Sequence, residues 1–253
     1  MGLFGKSTFL ERELEDWCLE IWLWLMQNLG GMGRLGSTRL AMANRDFYTP
    51  TEAEGHERAL YIFETTKQLM GIADWPCGLE AHDRAPANAR VAEFAFVRSD
   101  PTPNGTFRIQ EGQVIISYAS DLVERPRELI ATLAHELSHY LVASIMKPMP
   151  GGHRVHELTT ELTVAFAGFG LFGANQAFEF AQHQDAWGQG WRSRQLGYFS
   201  ERSWAFGLAL FTALKEEDVP DGVLKTSVAD LTRKARKYLK RHDELLAPLR
   251  EIA

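Results

Sequence analysis

The chain has little cysteine. Among its 253 residues only Cys18 and Cys77 are cysteines, and they lie far apart and form no C-x-x-C pair. This excludes a disulfide framework and a structural zinc site built from cysteines. Two isolated thiols are typical of a protein in a reducing compartment.

Signals for a membrane or for export are also missing. The most apolar window, residues 17–26, is only ten residues long and contains Glu20, whereas a membrane-spanning helix needs about 20 apolar residues. The N-terminus lacks the basic start and the continuous apolar run of a signal peptide. We therefore expect a soluble, cytoplasmic protein.

The chain has no net excess of basic charge. Lys and Arg number 27 against 33 for Asp and Glu, a formal charge of −6, so we expect no nucleic-acid binding over the whole surface. One C-terminal helical segment is nevertheless basic, through Arg233, Lys234, Arg236, Lys237, Lys240 and Arg241. A solvated helix face is predicted there. The alternatives are contact with nucleic acid, with an anionic membrane or with an acidic part of the same chain.

Helical periodicity dominates the N-terminal part. Apolar residues recur at spacings of three and four over residues 9–28, which predicts a helix. An irregular stretch is expected next, as far as Pro50. A second helix should begin at Thr51, with Glu54 as its capping-box partner, and end near Gly71. The glycines expected to end the first helix and open the irregular stretch are Gly30, Gly31, Gly33 and Gly36.

The middle of the chain predicts a small sheet. Residues 91–97 are typical of a short strand, and residues 107–109 and 114–118 predict a strand pair joined by a turn at Glu111 and Gly112. Further helices are predicted at residues 125–146, 156–172, 200–216 and 224–246. Helices, then a small sheet, then helices indicate an α+β fold.

The residues with the clearest chemical meaning form an H-E-x-x-H motif, at His135, Glu136 and His139. On a helix, positions i and i+4 share one face, so both imidazoles can bind one ion. Imidazole is a good zinc ligand, and Glu136 is placed to act as a general base on a metal-bound water. The alternative is two partly exposed helix histidines beside a surface glutamate.

Glu157 and Glu161 are the candidates for a third ligand. They lie one helical turn apart, and from Leu162 onward their helix is apolar on every side, which predicts burial. Two carboxylates on a buried helix need partners, and a zinc ion with its histidines would supply them. Alternatively, both lie on an exposed first turn that the helix dipole stabilises.

H-E-x-x-H followed by a helix with E-x-x-x-(D/E) resembles the gluzincin family of zinc metallopeptidases. Residues 114–170 look like its core, which has an edge strand, an active-site helix and a glutamate helix. The chain also resembles a group of uncharacterised bacterial HEXXH proteins, through the G-Y-F-S-E segment at residues 197–201. The resemblance implies a zincin-like fold and peptidase activity.

The resemblance also implies a role for each residue. His135, His139 and Glu157 would hold zinc, and Glu136 would be the base and later the proton donor. Glu161 would orient His135 through its other ring nitrogen. Many gluzincins have Asp at that position, and Glu161 as the ligand with Glu157 outside stays open.

The implied reaction is hydrolysis of an amide. Zinc lowers the pKa of its water towards about 7, and Glu136 takes the proton as the water attacks the carbonyl. Tyr198 is the candidate donor to the oxyanion. Strand 113–118 would bind an extended peptide at the sheet edge; an ordinary core strand is the alternative. Further candidate oxyanion donors are His153, His156 and His183.

Three other known site patterns do not fit the sequence. The metzincin pattern fails because Val142 and Ile145 stand where its Gly and third His belong, and a deformylase-like site would need a Cys ligand nearer than Cys77. The G-x-G-x-x-G at residues 168–173 follows a helix rather than a strand, which favours close packing over nucleotide binding.

An alternative to the peptidase is a metal-binding regulatory or interaction protein with little turnover. A third possibility is a purely structural helix pair.

Three regions are predicted: a helical region at residues 1–71, a zincin-like catalytic core with its following helices at residues 72–216, and a basic C-terminal helix at residues 217–253. The first contains three tryptophans, which we expect to pack against the core. A surface for a partner is the alternative use. These tryptophans are Trp17, Trp22 and Trp24.

Overall fold

The computed structural model describes residues 8–83, 104–176 and 199–253. In these residues the chain combines helices with one small sheet, which confirms the α+β class. None of the described helices is both long enough and apolar enough to cross a membrane. The main helices are α1 (Arg12–Leu29), α2 (Gly31–Ser37), α3 (Gly55–Leu69), α4 (Pro126–Ala143), α5 (His156–Phe166), α6 (Glu201–Leu214), α7 (Thr226–Arg241) and α8 (Ala247–Arg250). The strands are β1 (Cys77–His82), β2 (Gly105–Gln110) and β3 (Gln113–Ala119).

The chain divides into two compact units. One comprises the described residues up to Met42 and from Leu141 onward, and the other comprises Ala43–Tyr140. Helix α4 begins in the second unit and ends in the first, so the division falls inside a continuous helix. The domain boundaries at residues 71 and 216 stay predictions.

Helix α1 forms as its apolar spacing predicts. Its tryptophans belong largely to the interior, because Trp22 is fully buried, Trp24 is 7 % exposed and only Trp17 is half-buried. The helix ends at Gly30, whose left-handed backbone (φ 101°) lets its N–H bond the carbonyl of Met26. The other side chains that α1 buries are Glu15, Cys18, Ile21, Leu25 and Met26.

The glycine-rich stretch after α1 was expected to be irregular, and that prediction is wrong at its beginning. Residues Gly31–Ser37 form helix α2 instead. The left-handed Gly30 redirects the chain, and the fully buried Leu35 anchors the new helix. The amide of Met32 donates to the carbonyl of Ile252, which satisfies one of the first amides of α2.

The predicted capping box of the second helix is also wrong. Helix α3 begins at Gly55, directly after the extended Glu54. The Thr51 hydroxyl accepts a hydrogen bond from the amide of Ala53, 3.1 Å away, so it closes a local turn rather than capping a helix. The end of α3 at Leu69 agrees with the prediction.

The sheet has the strand order β1-β3-β2. Strands β2 and β3 are antiparallel, and they are joined by Glu111 and Gly112, both with positive φ (51° and 79°), as a type I′ hairpin turn requires. Strand β1 pairs parallel with β3 and was not predicted. The predicted strand at residues 91–97 lies outside the described residues.

The expectation that residues 113–118 form an edge strand is therefore wrong. Strand β3 is hydrogen-bonded on both sides, to β1 and to β2, and it is central in the described sheet. Most of its residues are buried accordingly. Among the described residues, β2 is the outer strand of the hairpin.

Helices α5 and α7, in the unit that contains the C-terminal residues, end earlier than predicted. Helix α5 ends at Phe166 rather than at residue 172, because Gly168 adopts φ 88°. A Cβ atom on Gly168 would lie 2.2 Å from the carbonyl oxygen of Arg39. Residues 170–176 are helical again. Helix α7 ends at Arg241 rather than at residue 246, and only short helical segments follow.

Helix α7 carries the basic segment. Its apolar side packs against α6, and the Arg236 guanidinium forms an ion pair with Asp218. Most of the other basic side chains of the segment are exposed, in agreement with the predicted solvated face. The buried side of α7 consists of Val228, Thr232, Ala235 and Leu239, and the exposed side includes Arg233, Lys234, Lys237, Lys240 and Arg241.

Candidate metal centre

Helix α4 holds the H-E-x-x-H motif. Its proline at the first position, Pro126, suits a helix N-terminus because that amide has no helical partner. The apolar side of α4 is buried, through Leu129, Ile130, Leu133, Ala134, Leu137 and Leu141. The motif residues lie towards another side of the helix, with His135 half-buried, His139 9 % exposed and Glu136 7 % exposed.

The two histidines of the motif converge. Their Nε2 atoms lie 3.1 Å apart, and their ring planes are inclined at 84° with the centroids 4.8 Å apart. In a tetrahedral zinc site with Zn–N bonds of about 2.05 Å, two nitrogen ligands are about 3.3 Å apart. The separation of the Nε2 atoms is close to that value, so both can bind one ion without a change in the backbone of α4.

Glu157 completes a group of three possible ligands. Within the described ranges, His135, His139 and Glu157 are the one group of His, Cys, Asp or Glu side chains that could hold a metal ion. The Glu157 side chain is 70 % exposed and lies in the first turn of α5, where the helix dipole favours a carboxylate.

Glu161 lies one turn further along α5. It is half-buried and does not belong to the group of possible ligands. From Leu162 to Phe166 the helix is buried, as its composition predicts. The role of Glu161 in orienting a histidine stays a prediction, and so does its role as an alternative ligand.

The candidate oxyanion donors are only partly described. Tyr198 and His183 lie outside the described residues. His156 begins α5, with its Nδ1 atom 3.8 Å from Oε1 of Glu157. Its ring stacks on that of the exposed His153, with centroids 5.6 Å apart. Two imidazoles therefore lie next to the candidate third ligand along the chain.

The two thiols contribute nothing to this group. Cys77 begins β1 and is not among the possible ligands found in the described residues. Burial raises the pKa of the Cys77 thiol. Burial also raises the pKa of the fully buried Cys18 thiol. A high pKa leaves little of the thiolate that binds metals or attacks substrates.

Two residues that the sequence did not indicate contact the motif from strand β2. A Cβ atom on Gly105 would lie 3.0 Å from Cγ of Glu136. The ring of Phe107 lies nearly parallel to that of His139, at 22° with centroids 6.1 Å apart. The only signal for them is their alternate spacing on one predicted strand, which places both side chains on the same face of the sheet.

Comparison of the chain with protein-family models, with curated proteins and with solved structures finds no match. The support for a function comes instead from the motif residues and their geometry.

Proposed function

We propose that this chain is a zinc-dependent hydrolase, most specifically a peptidase, whose metal is held by His135, His139 and Glu157. The observation that carries the proposal is the convergence of the two Nε2 atoms on helix α4, 3.1 Å apart. Glu136, which is 7 % exposed, follows the first of these histidines directly.

The donor set fits zinc. Two imidazoles and one carboxylate are the ligands of several catalytic zinc sites, and three protein ligands leave a fourth position for water or substrate. The proposed third ligand, Glu157, is an exposed side chain on α5, so it can change rotamer when it binds the ion. Among the described residues, no cysteine joins the group, so a closed structural site is less well supported.

Glu136 is the proposed acid–base residue. When bound, zinc supplies a Lewis acid that makes water nucleophilic near neutral pH and polarises the carbonyl. The Glu136 carboxylate accepts a proton from the attacking water and then delivers it to the leaving nitrogen. Its low exposure favours this role, because a site that excludes bulk water limits the loss of the proton to solvent.

Strand β2 is the proposed binding edge for a peptide. The amide of Ala119 donates to the carbonyl of Asn104, so those two residues form a hydrogen-bonded pair of the ladder. Hydrogen-bonded pairs alternate along antiparallel strands, which directs the N–H and C=O groups of Gly105, Phe107 and Ile109 away from β3. Among the described strands, none pairs with β2 on that side, so an extended substrate is proposed to run along it.

Metal stoichiometry tests the proposal. Elemental mass spectrometry of the wild type should find about one zinc per chain, with most of it lost in Glu157→Ala and little lost in the matched variant Glu161→Ala. Loss mainly in Glu161→Ala would exchange the roles of the two glutamates. No bound metal in the wild type after zinc is supplied would refute the proposal.

A peptide-library assay of the zinc-loaded protein separates the enzyme from a regulatory protein. Cleavage that disappears in Glu136→Gln supports the peptidase. Stoichiometric zinc without cleavage of any library member would favour a metal-binding regulatory or interaction protein.

A further inference from the structure

One strand contacts both chemically distinct parts of the motif. Residues 105 and 107 are two positions apart on β2, so their side-chain directions point to the same face of the sheet. On that face Gly105 lies against Glu136 and Phe107 lies against His139. The proposed base and one proposed ligand are thus both in contact with β2.

Gly105 is the point of closest approach. A Cβ atom there would lie 2.6 Å from Cγ2 of Thr132, 2.9 Å from the carbonyl oxygen of Ser117 and 3.0 Å from Cγ of Glu136. Gly105 is not among the glycines with positive φ, so its backbone angles suit any residue. Glycine is therefore required at this position by space alone, and the space it leaves is bounded by the Glu136 side chain.

Phe107 is itself held in place. Its ring packs against that of Tyr140, with centroids 6.1 Å apart. The Tyr140 ring in turn meets Trp75 edge-on at 4.9 Å, and its hydroxyl donates to the carbonyl of Pro76. A supported ring beside His139 limits rotation of the imidazole about its side-chain bonds.

We propose that β2 positions the catalytic groups of the chain, with Phe107 fixing the ring plane of His139 and Gly105 providing the space that seats Glu136. Both are positioning residues, since neither carries a group that reacts or binds metal. The proposal rests on the proposed function and extends it, because it assigns the geometry of ligand and base to a strand outside the motif.

Substitutions at Gly105 and Phe107 should impair different properties, turnover and zinc affinity respectively. Gly105→Ala should displace the Glu136 side chain and lower kcat about ten- to a hundredfold, with zinc content and KM little changed. Phe107→Ala should free the His139 ring, weaken zinc affinity about ten- to a hundredfold and change the visible absorption spectrum of the Co²⁺-substituted protein. Phe107→Tyr keeps the ring and should restore the affinity and the spectrum.

Matched controls separate these effects from general damage to the sheet. Gly78→Ala adds a methyl group on β1 where a Cβ atom has no neighbour within 4 Å. Ile109→Ala removes an apolar side chain, 62 % exposed, from the same face of β2 as Phe107, and it serves as the control for zinc affinity and the Co²⁺ spectrum. If Gly105→Ala is unfolded, the double variant Gly105→Ala/Thr132→Ser removes the nearest clash and keeps the test.

The results distinguish this inference from the proposed function. If the wild type binds zinc and Glu136→Gln is inactive, but Gly105→Ala and Phe107→Ala behave like their controls, the positioning role is refuted and the hydrolase remains. If Phe107→Ala changes only the melting temperature and leaves the Co²⁺ spectrum unaltered, its role is structural. Absence of metal from the wild type refutes the proposed function itself.

Discussion

The Tyr238 hydroxyl donates a hydrogen bond of 2.6 Å to Oε1 of Glu15, which joins helix α7 to helix α1. The other carboxylate oxygen of Glu15 accepts from the amides of Phe9 and Leu10, at 2.8 and 3.0 Å. Glu15 is only 2 % exposed, so these donors replace the water that the carboxylate gives up on folding. The contact ties the beginning of the described chain to its C-terminal helices.

This contact predicts a stability difference that depends on pH. Burial, and then the hydrogen bond to Glu15, raise the pKa of Tyr238. A raised pKa in the folded state stabilises the protein fully below the unfolded pKa of about 10 and progressively less above it. Tyr238→Phe should therefore lower the free energy of unfolding by about 1.5–3 kcal/mol at pH 7, and by less as the pH rises above about 10.

Urea unfolding of wild type and Tyr238→Phe between pH 7 and 11 measures this difference. The raised pKa values of Tyr48, Tyr118 and Tyr140 affect both proteins equally and cancel. A difference that stays constant across the whole range would show that the Tyr238 proton is not held by Glu15.

Substitution by alanine at two glycines should change the stability of the protein in opposite directions. Gly168 has φ 88°, and a Cβ atom there would meet the carbonyl oxygen of Arg39 at 2.2 Å, so Gly168→Ala should destabilise the protein by about 2–4 kcal/mol. Gly33 lies within α2, and a Cβ atom there has no neighbour within 4 Å. Gly33→Ala should stabilise by up to about 1 kcal/mol. Equal effects of the two changes on thermal unfolding would contradict this account.

The motif helix could be predicted because its information is local. The spacing of His135 and His139 and the apolar row on the opposite side of α4 follow from helical geometry alone. The β2–β3 hairpin is equally local, since Glu111 and Gly112 specify the turn and its flanking residues alternate. In both cases the residues that decide the structure lie within a few positions of one another.

The predictions that were missed or wrong depend on contacts between residues far apart in the sequence. Strand β1 contains a single large aliphatic residue, Leu79, and becomes a strand by pairing with residues of β3 that lie thirty-seven positions later. That pairing also turns β3 from the expected edge strand into the central one. Helix α2 has a poor helical composition and depends on the burial of Leu35 and on a bond from Met32 to Ile252.

The same distinction applies to the candidate site. The histidine pair and the two candidate carboxylates are visible as spacings in the sequence. Gly105 and Phe107 are not, because their importance comes from contacts with a helix that begins about twenty residues later. A glycine at the start of a strand predicts only weak pairing until the side chain that fills its space is known.

Backbone pairing along β2 can be tested with peptides. We expect an extended peptide inhibitor to bind less tightly when the amides that face Gly105 or Phe107 are N-methylated, because each methyl group removes one hydrogen bond, about 0.5–1.5 kcal/mol. Methylation of the intervening amides, which point away from β2, is the matched control. Equal affinities for the two methylated series, measured by calorimetry, would place the substrate elsewhere.

Glu136→Gln separates chemistry from metal binding. The amide side chain has nearly the same shape as the carboxylate and fits the same space beside Gly105, but it cannot accept the proton from the attacking water. We expect kcat to fall about 10²- to 10⁴-fold while zinc content stays at about one per chain and KM changes little. Steady-state kinetics with elemental analysis of the same preparations measures both properties. A variant that retains wild-type kcat would remove Glu136 from the reaction, and a variant that loses zinc would make it a contributor to metal binding instead.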